Sequence, residues 1–395
     1  MESREKPPPG QEKNMSTTAP SYRFIRTFME LRHFVDRIRR ENILAVDLEA
    51  DSMFHYQEKV CLVQMAGGNE NVVIDPLDVN DLSPLAPIFK DPSVCKVFHG
   101  ADYDVRSLYR DFSIEIDNLF DTQLASMFMG YRETSLEAVV GSRFGIQLNK
   151  RYQKKDWSQR PLPEGMVEYA ASDVDYLIPL ARQLMDELKA KERLDWVREE
   201  CAYLAAVRPV DNGDDPLFLR FRGAGRLPPR NLAVLEGLLQ YRRRLAIKKD
   251  RPLFKVFSNS ALLKIATELA DSPEAMEASR CLSPKQIRIY GKQLAAVVQQ
   301  AKALPAEDLP VYPRKRRTSV SAKVPGRVKA IKAWRDKLAD DLEMDPALLF
   351  NKALMTAIAL HKPAEISQLQ RVEGIRNWQV EAFGEDVLKV LADVP

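Results

Sequence analysis

Four acids and a tyrosine, scattered over the first half of a 395-residue chain, carry its most informative signal. Asp47 and Glu49 interrupt ILAVDLEA, which otherwise reads as an apolar buried strand, and their i, i+2 spacing turns both carboxylates to one face. Asp104 closes HGADYD, while Tyr169 and Asp173 stand i, i+4 in the helical stretch EYAASDVDYL and so share a face as well. Carboxylates converging from separate segments would make a hard-cation site, and hence a place for metal-assisted chemistry on an oxyanion such as phosphate. Each piece also has an ordinary reading. The D-x-E could be a strand end reaching solvent, Asp104 a helix N-cap, and Tyr169 with Asp173 a half-buried helix face. Their order, each at a structural boundary, favours the shared site.

Carboxylates within about 5 Å of one another would repel by roughly 3 kcal/mol per pair at an effective dielectric of about 20. Such repulsion needs protons or cations to offset it. An all-oxygen donor set favours Mg²⁺ or Mn²⁺ over zinc, and two ions roughly 4 Å apart can activate a water on one side and stabilise a leaving oxygen on the other. Tyr169 is a poor base, since a free phenol titrates near pH 10, and suits the task of holding the attacking water. His99 reads mainly as a structural histidine at a strand end. Asp75 and Asp121 resemble turn and helix-start carboxylates and stay outside the expected site.

The elements that must position these groups follow from the hydrophobic pattern. Strands are expected at residues 43 to 50, 60 to 67, 71 to 77 and 96 to 100, with helices after them to cover a mixed sheet. A cluster of Pro, Gly and Asp marks a connector over 208–229, beyond which only helical periodicity remains. The helical half repeats weakly at an offset of 93 residues: Tyr241-Arg242 returns as Trp334-Arg335, Ile265-Ala266 as Ile358-Ala359, and Tyr290-Gly291 as Phe383-Gly384. The expected partition is a disordered tail over 1–21, in which Met15 could be the true start, and an α/β domain over 22–207. The connector follows, then helical domains at 230–305 and 325–395 joined by a Pro-rich linker at 306–324.

A formal net charge of +3 excludes a whole-molecule field for polyanions, so such binding would rest on local patches. Cys61, Cys95, Cys201 and Cys281 are too far apart for a CxxC metal motif and fit free thiols of a reducing compartment. No run of about 18 apolar residues points to a membrane span, and the polar opening lacks a signal-peptide core. The expectation is a cytoplasmic protein.

In the order Asp47-x-Glu49, HGADYD, Tyr169-x-x-x-Asp173, the chain resembles the DEDD exonucleases of the tyrosine subgroup. LVQMAGG, FDTQLA and KKDWSQRPLPEGMVEYAASDVDYL are similar to ribonuclease D in particular, and LLQYRRRLAIKKDRPLFKVFSNSALLKIA resembles the helicase-and-RNase-D C-terminal (HRDC) domain, with a fainter second copy. The resemblance spans nearly everything after residue 20. It implies an RNase H-like mixed-sheet exonuclease domain followed by two small all-α HRDC-type domains. Asp47, Glu49, Asp104 and Asp173 would bind two Mg²⁺ or Mn²⁺ ions and Tyr169 would position the water. The implied reaction is stepwise 3′ to 5′ hydrolysis of RNA to nucleoside 5′-monophosphates, with tRNA precursors as substrates and no obligate protein partner. Leu48 departs from the family's frequent threonine, which bears on contacts to the terminal nucleotide.

Arg242, Arg243, Lys248 and Lys249 are the candidate phosphate contacts in the first helical repeat, and Arg314, Lys315, Arg316, Arg317, Lys323, Arg327, Lys329 and Lys332 run through the linker without an acid. Two other readings stay open: an exonuclease acting on single-stranded DNA, and a non-catalytic RNA-binding protein on the same fold.

Overall fold

A computed structural model describes residues 22–209, 213, 215–313 and 321–394. The expected N-terminal tail and the Arg314–Arg317 cluster lie outside the described residues. Six strands, β1 (Arg23–Ile25), β2 (Ile43–Ala50), β3 (Val60–Gly67), β4 (Glu70–Ile74), β5 (Cys95–Phe98) and β6 (Leu119–Asp121), form one sheet in the order β1-β4-β3-β2-β5-β6. The pairs β2–β3 and β3–β4 are antiparallel, and β1–β4, β2–β5 and β5–β6 are parallel. The sheet is therefore mixed, with β2 at its centre. The expected third strand stops at Ile74 because Asp75 caps a short helix instead, accepting from the Leu77 amide at 3.0 Å.

Helices then cover the sheet. Leu180, Leu184 and Leu188 form the buried stripe of Leu177–Ala190, which packs on β2 and β5. The helix Glu164–Ser172 lies against β3 and β4. Beyond β6 no strand occurs among the described residues, as the periodicity predicts.

The 93-residue repeat holds in three dimensions. Leu253–Val256 and Asn259–Glu268 return as Pro346–Leu349 and Lys352–His361, and Pro284–Lys302 as a helix starting at Asn377. Arg242 donates to the Phe257 carbonyl at 3.0 Å, and its counterpart Arg335 donates to that of Phe350 at 2.8 Å. Arg242 is only 7% exposed, so it is a structural arginine and not the phosphate contact that its charge suggests. Arg327 is corrected likewise, being buried with a bond to the Ala359 carbonyl at 3.2 Å. Arg243, Lys248 and Lys249 are exposed, Lys249 lying over the Tyr290 ring at 4.9 Å.

The two bundles attach to the sheet half differently. The C-terminal one shares a continuous apolar core with it, through Trp196 stacked on Trp378 at 4.8 Å, while Arg193 bridges the Phe128 and Leu342 carbonyls. The first bundle keeps its own core around Leu235, Leu238, Ile265 and Leu294. It meets the sheet half through a small mixed contact: His55 Nδ1 to Asp250 Oδ2 at 2.6 Å, the Tyr56 amide to Asp250 Oδ1 at 3.0 Å, Arg243 Nε to the Tyr56 hydroxyl at 3.3 Å, Lys255 over the Phe54 ring at 4.2 Å, and Tyr56 packed on the edge of the core. Among the described residues no helix is long and apolar enough to cross a membrane.

Candidate active site

β2 presents Asp47 and Glu49 on one face, where the register sets Asp47 opposite Gln64 and Glu49 opposite Leu62. Its parallel neighbour β5 ends at Phe98, and the chain turns through His99 and Gly100 into the helix Asp102–Phe112. Gly100 adopts φ +78°, a conformation that glycine takes without a steric penalty. Asp104 lies in the first turn of that helix, whose N-cap is Ala101, so the capping reading of Asp104 does not hold.

What fixes this turn is Asp121. Its Oδ1 accepts from the amides of Gly100 at 3.0 Å, Gln123 at 2.8 Å and Leu124 at 3.1 Å, and its Oδ2 from that of Ala101 at 2.8 Å. Asp121 is thus more than the helix-start carboxylate expected, because it also holds the turn that delivers Asp104. The third wall is the helix Glu164–Ser172 with Asp173 as its C-cap residue. Tyr169 packs against Tyr152 and Trp157, each ring centroid 6.0 Å away, and its phenol lies beside Asp173, holding that carboxyl's pKa down. Asn71 on β4 ties the end of this helix down, donating to the Ala171 carbonyl at 3.1 Å and to Asp175 at 2.6 Å.

These elements enclose a cavity of about 360 Å³ lined by Asp47, Glu49, His99, Tyr169 and Asp173 among others. Asp104 sits behind the wall, 8% exposed, and acts on the cavity through its charge. Leu48 contributes apolar surface to the rim. His99 places Nδ1 2.9 Å from the Thr122 hydroxyl and Nε2 2.9 Å from the Thr134 carbonyl, and burial holds its pKa below the usual value. Both ring nitrogens have protein partners, in keeping with the structural role expected.

Electrostatics bind the acids into one unit. Burial pushes the Asp47 carboxyl up to about 7 against the bond it accepts from the Leu48 amide. Burial and then the charge of Asp47 push Asp173 up to about 8, with the neighbouring Tyr169 phenol opposing them. Glu49 is raised well above its ordinary range by burial, then by Asp47, Asp173 and Asp104, and Asp104 by burial, then by Asp47 and Asp121. The Tyr169 phenol is also shifted upward, chiefly by burial, so it keeps its proton at neutral pH. Every neighbour that shifts the four acids is another acid, a backbone amide or a phenol. Four oxygen-donor groups with no basic partner shifting them fit hard divalent cations. Among the described residues no three His, Cys, Asp or Glu side chains already stand in a metal-binding cluster, so the acids share a neighbourhood without forming a closed ligand shell.

Comparison with known proteins accords with this architecture. Residues 22–189 match the family model described as 3′-5′ exonuclease, and residues 231–298 and 325–391 match that of the HRDC domain. The ribonuclease D of Acidiphilium cryptum is 30% identical over 381 residues, covering 95% of this chain and 94% of that protein. Ribonuclease D of Escherichia coli is 29% identical over 379 residues, covering 95% and 100%. The crystal structure of the Escherichia coli enzyme, described as an exoribonuclease involved in structured RNA processing, superposes with a TM-score of 0.72 at 28% identity, covering 95% of this chain and 99% of that one. Matched over nearly its whole length in sequence and in fold, the chain belongs to the ribonuclease D family and is a 3′-5′ exoribonuclease.

Proposed function

We propose that Asp47, Glu49, Asp104 and Asp173 hold two divalent cations, Mg²⁺ or Mn²⁺, and that Tyr169 positions the water that cleaves the 3′-terminal phosphodiester of RNA. The product is a nucleoside 5′-monophosphate at each step. The substrates are the 3′ ends of tRNA precursors and other structured RNAs, processed in the cytoplasm. One observation carries the reading: Asp47, Glu49 and Asp173 line one pocket with Asp104 buried behind it, and, after burial, the charge of Asp47 raises the pKa values of the other three with no basic neighbour to relieve them.

When bound, the ions supply charge stabilisation at the phosphate and a lowered pKa for the attacking water. The chain's own residues do the positioning. Asp47 and Glu49 are fixed by the central strand, Asp104 by the turn that Asp121 holds, and Asp173 by its place at the C-cap of Glu164–Ser172. Because the Tyr169 phenol stays protonated, its oxygen can both donate and accept a hydrogen bond toward a water in the cavity, and the packed rings of Tyr152 and Trp157 hold it there. A cavity of about 360 Å³ is at the small end for ligand pockets and suits one terminal nucleotide. The exposed Arg243, Lys248 and Lys249 give the first bundle a basic face for phosphates, without Arg242.

Incubating a 3′-extended tRNA with the purified protein, with and without Mg²⁺, tests the reading. A one-nucleotide ladder only with Mg²⁺ is the expected result, and degradation of a matched DNA oligomer at the same rate would favour the DNA alternative. Tyr169→Phe should lower the single-turnover rate by roughly 10²-fold, the scale of a lost group that orients the attacking water. Its Mg²⁺ midpoint in a thermal-shift titration should rise by no more than about tenfold, because the phenol stands beside the ligand Asp173 without being a ligand itself.

A further inference from the structure

Gln64 is fully buried on β3, and neither its Oε1 nor its Nε2 has a hydrogen-bond partner. Buried amides are rarely left unpaired, and one that lacks a partner points to a group that satisfies it in the working state. Its place in the sheet says which group that is. The register sets Gln64 directly opposite Asp47 on one side and Val73 on the other, so the three side chains stand in one rung on one face. Residues directly opposite in an antiparallel pair have Cβ atoms about 5 Å apart, within reach of a glutamine carboxamide. Val73 in the rung and Leu62, two residues before Gln64 on the same face, belong to one apolar cluster with Trp157 and Tyr169. Among the described residues no side chain donates a hydrogen bond to the Asp47 carboxylate, and the Leu48 amide alone opposes the rise in its pKa.

We propose that Gln64 is a positioning residue for Asp47. Its Nε2 donates to the Asp47 carboxylate once divalent cations fix that carboxylate, leaving the other oxygen to face the ions. This rests on the metal-site reading above and deepens it. A ligand whose rotation is checked by a hydrogen bond binds metal more tightly than one free to turn, and loss of such a support weakens affinity by about 10- to 100-fold.

Thermal-shift and calorimetric titrations of the full chain with MgCl₂, without RNA, test the assignment. Gln64→Met keeps the side-chain length and removes the unpaired amide, so the metal-free variant should melt at the parental temperature or above it. Its Mg²⁺ midpoint should nonetheless rise at least about tenfold. A merely structural glutamine would leave that midpoint unmoved, and an unmoved midpoint overturns the proposal. As a second measurement, which does not depend on how the variant folds, the Gln64 side-chain amide of the parent should shift in a ¹H–¹⁵N spectrum and exchange more slowly when MgCl₂ is added. An amide signal indifferent to Mg²⁺ also overturns it. If the parent itself shows no Mg²⁺ response, the metal reading fails; a parent that responds alongside an equally responsive Gln64→Met defeats only the role of Gln64.

Discussion

Asp47→Asn should reduce RNA hydrolysis by roughly 10³-fold or more, about 4 kcal/mol of transition-state stabilisation, while the protein stays folded. Asn keeps the shape and can still accept from the Leu48 amide, so the strand has no reason to distort. What disappears is a charge at the centre of the cluster, the one that raises Glu49, Asp104 and Asp173 together. The same fact gives the variant a stability signature. Asp47 and Asp173 titrate near 7 and 8 in the fold, against about 4 for a free aspartate. Between those limits the native state binds more protons than the unfolded chain, so stability falls as pH rises. Metal-free parent protein should therefore lose melting temperature from pH 5 to pH 8, and MgCl₂ should restore it at pH 8 by neutralising the acids. Asp47→Asn should melt above the metal-free parent at pH 8 by an amount on the order of 2 kcal/mol, lose that advantage by pH 5, and gain much less from MgCl₂. Calorimetric scans at the two pH values, with and without the ion, check all four corners. A parent indifferent to both pH and Mg²⁺ would remove the basis for a shared acid site.

Which parts of this were legible beforehand depends on whether a residue's fate is settled locally. Asp47 and Glu49 stood out because ionised side chains in an apolar strand are costly enough to demand a reason. Gln64 interrupts β3 in the same way and faces Asp47, yet a single amide in VCLVQMAG carries no charge to draw notice. The strands Arg23–Ile25 and Leu119–Asp121 span three residues each, too few for a period of two to show, and only pairing with β4 and β5 defines them. Asp121 looked like a helix cap and is one. Its second duty, holding Gly100 and Ala101, joins residues 20 and 21 positions away in sequence and exists only in the fold.

Arg242 shows the opposite error. It lies seven residues after Leu235 and four before Ala246, on the buried stripe of the helix Pro229–Lys249. Position on that stripe, and not the run of like charges around it, decides its environment. The repeat carried the same message, since Arg335 stands at the equivalent place and is buried too. How the bundles dock was not legible at all: Trp196 and Trp378 lie 182 positions apart, and nothing local pairs them.

That docking sets the last expected result. Trp378→Ala should destabilise the sheet half and the C-terminal bundle together by about 3–5 kcal/mol. Trp378 is 2% exposed, stacks on Trp196 at 4.8 Å, meets Phe128 edge-on at 5.7 Å, and donates from Nε1 to Glu200 at 3.0 Å. Its removal opens a cavity between two elements and leaves Glu200 with fewer partners, keeping only Arg376 at 3.0 Å. Because Trp378 and Phe128 belong to one core that extends from the sheet to Leu391, the loss cannot be confined to either side. Hydrogen exchange should show faster opening in both Leu194–Ala205 and Asn377–Ala392. The helix Pro229–Lys249, whose core takes only the edge-packed Tyr56 from the sheet half and whose other ties are Asp250 with His55 and Tyr56, Arg243 with the Tyr56 hydroxyl and Lys255 over Phe54, should keep its protection. Equal loss in all three would mean that the first bundle is coupled to the rest through more than those contacts, whereas loss confined to the C-terminal bundle would mean that the shared core does not unfold as a unit.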